Sequence, residues 1–561
     1  MATFFDDASL VMIPSGVKES KLYSIKPTDG TGDFTFTRGT DTATRVNSSG
    51  LIEKERSNQL LQSNQFDTTW VNSGTITRTS GQSGYDGSSD AWLLTKGSLG
   101  AFIRQNISQS GVRTFSVYAK ADTSTWLLLV IDGSPDAYQY IDLANGVLGA
   151  TGSNVDSTII SVGGGWYRCT ITGADSYTQV RIYPAEGNGN VSGTTTQLFI
   201  QDAQLEQGLV ATDYIETTTA AVYEGITDNL PRLDYSGGAS CPSLLLEPQR
   251  TNTYTNSEYF DDWISNRLDR TANNIISPEG VQNAYKMAQQ SGFTTAPNIN
   301  KGGIAAGTYT ISISAKKGSW NHLAISFQGV SYFNLETGSK GTINSNHTAT
   351  IEDYGNGWYR CAITRTTTTT QTPAFYFAES DNTLTTPDTQ GYMYTYGAQL
   401  EAGSYPTSYI PTYGTSASRA KDFINQNIQT LTSGLTEGTL FIEFEKPNTG
   451  ENVDLMRLRG SGNLGRAFIY NNAAGFASNW GTAQNFTLGE NTKAAWRLDS
   501  LSSGVEFLNG VKGAGGSGTA WSDIRLLRFN AEGNGGVLKI KQILFFPTAL
   551  TDTECITLTT L

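Results

Sequence analysis

The chain has 561 residues, a length that indicates several domains. Its formal net charge is −13 at pH 7 and its Lys and Arg residues are not clustered, which excludes recognition of a nucleic-acid backbone. Aromatic residues make up 11% of the chain, whereas disordered chains contain few, so the composition favours folded β-rich domains. The longest apolar run, residues 126–131, is too short to cross a bilayer, and no membrane insertion is expected.

The start of the chain, MATFFDDASLVMIPSG, carries acidic residues and no basic stretch, unlike an ordinary secretion signal. The four cysteines are too few and too scattered for a disulfide framework. We therefore expect reduced, buried thiols in a protein that is made in a cytoplasm. These cysteines are Cys169, Cys241, Cys361 and Cys555.

Sequence motifs divide the chain into five predicted segments. An N-terminal β segment, residues 1–57, is followed by a first β-sandwich module, residues 58–218. A connecting segment, residues 219–250, leads to a second module, residues 251–418. The chain ends in a β domain, residues 419–561. The predicted fold class is therefore all-β and multi-domain.

The two modules share short motifs in the same order and at a nearly constant separation. Each contains the pentapeptide GWYRC, at residues 165–169 and 357–361. Each also contains a closing Ala-Gln-Leu-Glu, at residues 203–206 and 398–401. Ordered matches of this kind predict a duplicated domain.

Apolar and polar residues alternate within each module. In TFSVYAK, Phe115 and Val117 alternate with a serine and a tyrosine, a period of two that predicts a half-buried strand. Clusters of Gly, Asn, Asp and Ser between such runs predict turns, so each module is expected to form a sandwich of two antiparallel sheets. The same alternation places the cysteine of GWYRC in the core. An alternative interpretation uses Trp166 and Trp358 of the pentapeptide as sugar platforms.

The C-terminal segment contains alternating runs joined by a hairpin signal. Asn509-Gly510 separates two such runs, and both residues tolerate the positive φ that a tight hairpin requires. The order of a strand, W-R-L, V-x-F-x-N-G and a final A-L-T-D-x-E resembles the concanavalin A-like, laminin-G-type jelly roll. The repeated modules resemble carbohydrate-binding-module sandwiches, with an N-L-L-x-N-x-x-F-(D/E) opening and a closing strand before L-E-x-G.

The flanking segments resemble parts of bacteriophage virion proteins of the tail-fibre and head-fibre type. This resemblance rests on FTFTRGTDTATRVNSSGLIE, residues 34–53, and PRLDYSGGASCPSLLLEPQRTN, residues 231–252. It implies a homo-oligomeric protein on the virion surface, assembled in the host cytoplasm with other virion proteins as partners. It also suggests that the first and third segments pack with the jelly roll, so that the modules are insertions. The alternative is a series of independent domains.

Aromatic side chains are the predicted glycan contacts, because the C–H faces of sugar rings stack on aromatic rings and nearby polar groups hold the hydroxyls. The alternative interpretation places each of these residues in a core or on an ordinary strand surface. The candidates are Trp126, Tyr138 and Tyr140 in the first module, Trp320, Tyr332 and Tyr376 in the second, and Trp480 in the jelly roll.

Calcium is the one cofactor that the resemblance to carbohydrate-binding sandwiches suggests. In those sandwiches, an acid after the opening Phe and an acid on the last strand bind a structural Ca2+. The first module has Asp67 and Asp202 at these places. The second has Asp261, but Gly397 replaces the closing acid, and Ca2+ needs six to eight oxygen ligands. The alternative is that these acids are solvated ends of strands, with no cofactor required.

Catalysis is not favoured by the sequence. The only histidines, His322 and His347, lie in the second module and have no metal-ligand spacing. No pair of carboxylates stands out for sugar cleavage. We therefore predict a non-enzymatic virion protein that binds host surface glycans for adsorption. The alternative function is a purely structural capsid or tail decoration protein that binds no glycan.

Overall fold

The computed structural model describes residues 2–388, 390–447, 456–460, 465–469, 475–478, 484–485, 487, 489–500, 503–516, 524–530 and 536–561. Antiparallel strands dominate these residues, which confirms the predicted all-β, multi-domain sandwich fold. In the described part of the chain, no helix is long and apolar enough to span a membrane. The helices are α1 Ala2–Asp7, α2 Gln429–Thr432 and α3 Asp552–Thr559, with 3-10 turns at Ser236–Gly238 and Phe260–Asp262.

The N-terminal segment forms short strands that alternate between core and solvent. In the sequence FTFT, Phe34 and Phe36 are fully buried while the two threonines face solvent. The strands are β1 Leu10–Met12, β2 Val17–Lys18, β3 Lys21–Leu22, β4 Phe34–Thr37, β5 Arg45–Val46, β6 Ile52–Glu53 and β7 Arg56–Asn58.

The first module, called repeat 1, consists of β8 to β17. Two of its strands, β11 and β16, run through both layers of the sandwich and join them into one hydrogen-bonded sheet. The strands are β8 Val71–Ser73, β9 Ile76–Gln82, β10 Ala91–Lys96, β11 Phe102–Ala121, β12 Trp126–Asp132, β13 Ala137–Asp142, β14 Val147–Thr151, β15 Asp156–Gly163, β16 Trp166–Ala185 and β17 Gln197–Gln207.

The second module, called repeat 2, consists of β22 to β33 and follows a connecting segment that contains β18 to β21. The connecting strands are β18 Val222–Glu224, β19 Arg232–Asp234, β20 Ser243–Leu246 and β21 Arg250–Asn252. The strands of repeat 2 are β22 Ile264–Asn266, β23 Leu268–Ile275, β24 Ala284–Gln289, β25 Asn298–Asn300, β26 Gly307–Lys317, β27 His322–Ser326, β28 Val330–Asn334, β29 Ser339–Lys340, β30 Thr348–Asp353, β31 Trp358–Thr367, β32 Ala374–Ala378 and β33 Tyr392–Ala402.

Repeat 2 contains two six-stranded sheets, in the orders β22-β25-β32-β27-β28-β29 and β23-β24-β33-β26-β31-β30. The same strand order is found in repeat 1, where β11 and β16 each take the place of two strands.

The C-terminal segment contributes most strands of a further sandwich. These strands are β34 Ala417–Arg419, β35 Phe423–Asn427, β36 Gly438–Glu445, β37 Met456–Gly460, β38 Gly465–Ile469, β39 Gly475–Ser478, β40 Gln484–Asn485, β41 Asn491–Ser500, β42 Ser503–Leu508, β43 Val511–Lys512, β44 Ile524–Phe529 and β45 Leu538–Phe546.

This further sandwich, called the split sandwich, is assembled from three separate stretches of chain. One sheet has the order β19-β20-β45-β36-β41-β42-β43, with β1 also paired to β45. The other has the order β2-β3-β4-β35-β44-β37-β38-β39-β40. Its core joins Leu10, Phe36, Leu244, Ile424 and Trp496. Both repeats are therefore inserted into the sequence of this sandwich.

Two pairs of short strands lie where the repeats leave the split sandwich. Strand β7 pairs with β18, and repeat 1 lies between them in the sequence. Strand β21 pairs with β34, and repeat 2 lies between them. Each repeat thus begins and ends at neighbouring points in space.

The motifs that the repeats share form a hydrogen-bond network, called the lock, around the segment that follows the last strand of each repeat. In repeat 1, the Glu206 carboxylate accepts from the Thr212 N–H at 3.0 Å and from the Thr212 hydroxyl at 2.6 Å. The Gln204 side-chain oxygen accepts from the Ile215 N–H at 2.8 Å. The Arg168 guanidinium of GWYRC donates to the Thr212 carbonyl oxygen.

Repeat 2 contains the same lock, which explains why the motifs recur together. Its carboxylate is Glu401, its amide is Gln399 and its guanidinium is Arg360, which donates to the Thr407 carbonyl oxygen at 2.6 Å. Both copies of the pentapeptide are structural, since Trp166, Cys169, Trp358 and Cys361 are all buried.

All four cysteines are free, but one of them is not buried as expected. Cys241 is exposed because it lies in a turn between β19 and β20 rather than in a strand.

The two repeats pack directly against each other. Val112 and Leu209 of repeat 1 belong to the same apolar cluster as Tyr254 of repeat 2. Gly111 has a φ of 76°, and a Cβ atom there would lie 1.4 Å from the carbonyl oxygen of Tyr413, so only glycine permits this approach.

A buried ionic network joins the three stretches of chain that form the split sandwich. Its members are three arginines and two acids, each 3% exposed or less: Arg38, Arg232, Glu247, Arg419 and Asp422. Glu247 lies 2.7 Å from the Arg232 guanidinium and 2.9 Å from that of Arg419, and Asp422 contacts both Arg38 and Arg232. Burial raises the pKa of Glu247, but Arg419 and Arg232 outweigh this effect and hold it well below its ordinary value.

Asp422→Ala should destabilise the protein, because it removes the carboxylate that Arg38 and Arg232 share in a buried place. We expect the free energy of unfolding to fall by about 3–5 kcal/mol in urea denaturation. The control Glu336→Ala breaks a solvent-exposed ion pair with Lys317. It should change the free energy of unfolding by less than about 1 kcal/mol. Equal, small effects of the two variants would contradict the role of the network.

Candidate functional site

The candidate site in repeat 1 is the outer face of the layer that contains β12, β13 and the second half of β16. Strand register places Tyr140 and Tyr183 on either side of Leu128, and Tyr138 beside Val130. These residues form an apolar cluster on the side of the sheet that faces away from the core. The full cluster, called the outer aromatic face, contains Phe102, Trp126, Leu128, Val130, Tyr138, Tyr140, Tyr183, Ala185 and Val191.

Exposure separates the rings of this face into two groups. Tyr140 and Tyr183 are both 9% exposed and form the floor. Trp126 and Tyr138 are half-buried, so part of each ring is open to solvent. The rings of Tyr138 and Tyr140 lie edge to face, with centroids 6.2 Å apart.

Charged groups lie at both ends of the outer aromatic face. At one end, Arg181 pairs with Asp132, and its guanidinium carbon lies 5.5 Å from the centroid of the Phe102 ring. At the other end, the Asp142 carboxylate accepts from the Asn145 side-chain amide at 2.8 Å. An apolar floor between a few fixed polar groups is the general form of a small-ligand site.

Repeat 2 has two tyrosines at the same register. Tyr332 and Tyr376 lie on either side of Ala324, as Tyr140 and Tyr183 lie on either side of Leu128. Tyr332 is 5% exposed, whereas Tyr376 is half-buried. Only part of this face is therefore open, next to Tyr376 and Asn298, which pair across β32 and β25.

The remaining predicted glycan contacts are placed differently. Trp320 is 2% exposed and belongs to the core of repeat 2, because it precedes β27 instead of lying within it. A Cβ atom at Gly391 would lie 2.0 Å from the indole of Trp320, so the chain closes over that ring. Trp480 lies outside the described residues.

Sequence reasoning missed Tyr183, which completes the floor of the outer aromatic face. The signal that could have found it is the alignment of the repeats, which sets RIYPA of repeat 1 beside AFYFA of repeat 2. Tyr183 and Tyr376 then occupy equivalent positions.

The predicted calcium ligands have other partners in this structure. Asp67 is exposed and lies close to Arg78, which donates to the carbonyl oxygens of Phe66 at 2.5 Å and Trp70 at 2.7 Å. In repeat 2, Arg270 makes the equivalent bonds and lies 3.3 Å from Asp261.

Asp202 is buried and accepts a hydrogen bond of 2.9 Å from the Tyr85 hydroxyl. Burial, followed by the nearby carboxylates of Asp90 and Asp86, raises its pKa to about 7. Among the residues that the structure describes, no group of three His, Cys, Asp or Glu side chains is arranged to hold a metal ion.

One serine–histidine pair was not foreseen. The hydroxyl of Ser331 lies 2.7 Å from Nδ1 of His347, and Nε2 of His347 lies 2.9 Å from the carbonyl oxygen of Phe327. Ser331 is fully buried, so no substrate can reach it, and burial lowers the pKa of His347. The pair therefore links strands instead of forming a nucleophilic centre.

No protein-family model and no curated protein matches this chain. Solved structures that resemble it include the CBM22-1–CBM22-2 tandem of Paenibacillus barcinonensis Xyn10C, with 10% identity, a TM-score of 0.21, and coverage of 62% of this chain and 96% of that one. A Trypanosoma rangeli sialidase mutant displaying trans-sialidase activity is 8% identical, with a TM-score of 0.20 and coverage of 93% and 97%. The LG1-3 region of the laminin α2 chain is 8% identical, with a TM-score of 0.14 and coverage of 85% and 96%. None of the three is a bacteriophage protein, and similarities this low carry no argument about function.

Asp202→Asn should flatten the pH dependence of stability. The raised pKa means that folded Asp202 holds a proton between about pH 4 and 7 while the unfolded residue does not, so its contribution to stability falls as pH rises through this range. We expect the loss of Tm between pH 5 and 8 to be smaller in Asp202→Asn than in the wild type.

The matched control is Asp67→Asn, which makes the same change at an exposed acid of repeat 1. An identical pH profile for the wild type and Asp202→Asn would show that this carboxyl does not titrate as stated.

Proposed function

We propose that this protein is a non-enzymatic structural protein on the surface of a bacteriophage particle, and that its repeats bind host surface glycans. The observation that carries the binding part is the outer aromatic face. There, the half-exposed rings of Trp126 and Tyr138 lie over an apolar floor between two charged ends. Sugar rings offer matching C–H faces, and their hydroxyls match the polar groups at the ends.

The virion part of the proposal is supported by the flanking segments. Residues 34–53 and 231–252 carry the resemblance to tail-fibre and head-fibre proteins. The same stretches contribute strands β4, β19 and β20 to the split sandwich. In the proposal this sandwich attaches the chain to other virion proteins, after assembly in the host cytoplasm, and the repeats face the host.

Weak glycan binding at each outer face would be sufficient for adsorption to the host. A homo-oligomer presents both repeats many times, and multivalency raises avidity by roughly 10²–10⁴ without any new contact. No cofactor is required in this proposal, and Ca2+ at Asp67 and Asp202 would only stabilise repeat 1.

A second candidate function is that of a capsid or tail decoration protein that binds no glycan. The observation that favours it is the burial of Tyr140, Tyr183 and Tyr332, which makes much of the aromatic surface part of the packing.

The double variant Trp126→Ala/Tyr138→Ala and the variant Tyr376→Ala test glycan binding. On a glycan array and in pull-down of host cells, we expect each to bind at least about tenfold more weakly than the wild type, or ~1.4 kcal/mol. Tyr223→Ala is the matched control, because it removes a tyrosine that is 50% exposed and lies on β18, away from both faces. Binding should persist in EDTA. Absence of binding by the wild-type protein would leave only the decoration function.

Electron microscopy tests the location of the protein on the particle. Gold-labelled antibodies against repeat 2 should decorate the outside of intact particles that carry this protein. Label that appears only after the particles are broken would contradict exposure on the virion surface.

A further inference from the structure

A large cleft lies between repeat 2 and the split sandwich, and it shares no lining residue with the outer aromatic face. This cleft has a volume of about 770 Å3, within the range of about 300–1,000 Å3 typical of ligand sites. Its walls come from parts of the chain that are distant in sequence, around β5, β19, β30, β31 and β45.

The wall from repeat 2 carries a row of hydroxyl groups. Thr348 and Thr364 lie opposite each other on β30 and β31, and Thr350 follows on the same side of β30. The hydroxyl of Thr364 is held 2.6 Å from that of Thr310, so this wall has a fixed hydrogen-bonding pattern. Glu352 continues the row at the mouth of the cleft and is exposed.

The floor of the cleft is apolar. Leu245, Tyr405 and Val537 form a small cluster that joins the split sandwich to the loop after repeat 2. Tyr405 is held in place by the Arg250 guanidinium, which lies 4.9 Å from its ring centroid. An apolar floor beneath a row of hydroxyls matches a sugar ring, which has C–H faces and a rim of hydroxyl groups.

The charges of the cleft exclude an acidic ligand. Each cation that lines it in the described part of the chain already has a partner. Lys539 lies 3.3 Å from Asp234, Arg45 lies 2.8 Å from Glu53, and Arg360 donates to the Thr407 carbonyl oxygen. The carboxylates of Glu352, Asp353 and Glu445 also line the cleft. A negatively charged ligand would meet these carboxylates without a free cation to offset them.

We propose that this cleft binds a neutral oligosaccharide and discriminates against acidic ones. This inference rests on the proposed function and deepens it, since it names the ligand class and adds a second binding place to the outer aromatic face. The threonine hydroxyls and the carboxylates hydrogen-bond the sugar hydroxyls, and the floor packs against the C–H face of the ring. A basic peptide is the competing ligand, because carboxylates would also attract its cations.

Thr350→Trp tests the cleft, because a large side chain at this half-buried position fills it. The matched control is Thr158→Trp, which makes the same change at the equivalent half-buried position of repeat 1. Titration calorimetry of the full chain with neutral tetrasaccharides should show binding in the wild type and the control. Binding to Thr350→Trp should be at least tenfold weaker.

The ligand class is tested with uronic-acid and sialylated oligosaccharides of the same length and with a Lys-rich peptide. Acidic oligosaccharides should bind at least tenfold more weakly than neutral ones. Glu352→Lys changes an exposed residue, so it is expected to fold, and it should reduce this discrimination by about tenfold. Equal binding of acidic and neutral sugars by the wild type, or tighter binding of the peptide, would overturn the proposal.

These variants distinguish failure of the cleft proposal from failure of the outer-face proposal. If Trp126→Ala/Tyr138→Ala and Tyr376→Ala abolish binding while Thr350→Trp retains it, the cleft proposal is overturned and the outer-face proposal stands. If Thr350→Trp alone loses binding, the cleft is the glycan site and the outer faces are not. If Thr350→Trp unfolds, loss of discrimination in Glu352→Lys still supports the cleft, and unchanged discrimination overturns it.

Discussion

Five buried charges hold together the three stretches of chain that form the split sandwich. Removing ions from water is costly, and the cost is offset only when each ion is fully paired and hydrogen-bonded. Here Arg38 and Asp422 are separated by 384 positions in the sequence, so their contact joins the first stretch of the split sandwich to the last. Ser408, in the loop after repeat 2, donates to both oxygens of Glu247 and connects this loop to the network. The same bonds lie at the cleft, because both Glu247 and Ser408 line it.

The two repeats share one scaffold and differ at individual positions within it. The lock of Gln, Glu and Arg around the final segment is the same in both, because it maintains the fold. The outer faces differ at several positions: for example, Leu128 lies between two tyrosines in repeat 1, whereas the smaller Ala324 lies between two tyrosines in repeat 2. Asp202 in repeat 1 likewise corresponds to Gly397 in repeat 2. If the two repeats prefer different ligands, the difference would arise at such equivalent positions.

Local patterns allowed the fold to be predicted further than the site. Alternation identified the strands and placed Cys169 and Cys361 in the cores, because the period of a strand decides which face a residue occupies. The same rule explains the incorrect pairing of Trp126 with Trp320: the first lies within its strand and the second precedes it, so His322 takes the place of Trp126. The cleft could not be predicted, since its walls are distant in sequence and meet only in the folded chain. Whether Asp67 and Asp202 bind calcium depends on side-chain geometry that a linear spacing does not contain.

The short strand pairs at the base of each repeat have a consequence for the evolution of this chain. Since β7 lies beside β18 and β21 beside β34, a whole repeat can be cut out at the level of the gene and the ends rejoined by a turn. The split sandwich would keep its core, because none of the strands in its two sheets lies inside a repeat. A single recombination event within the gene would thus exchange one repeat for another domain and leave the split sandwich unchanged.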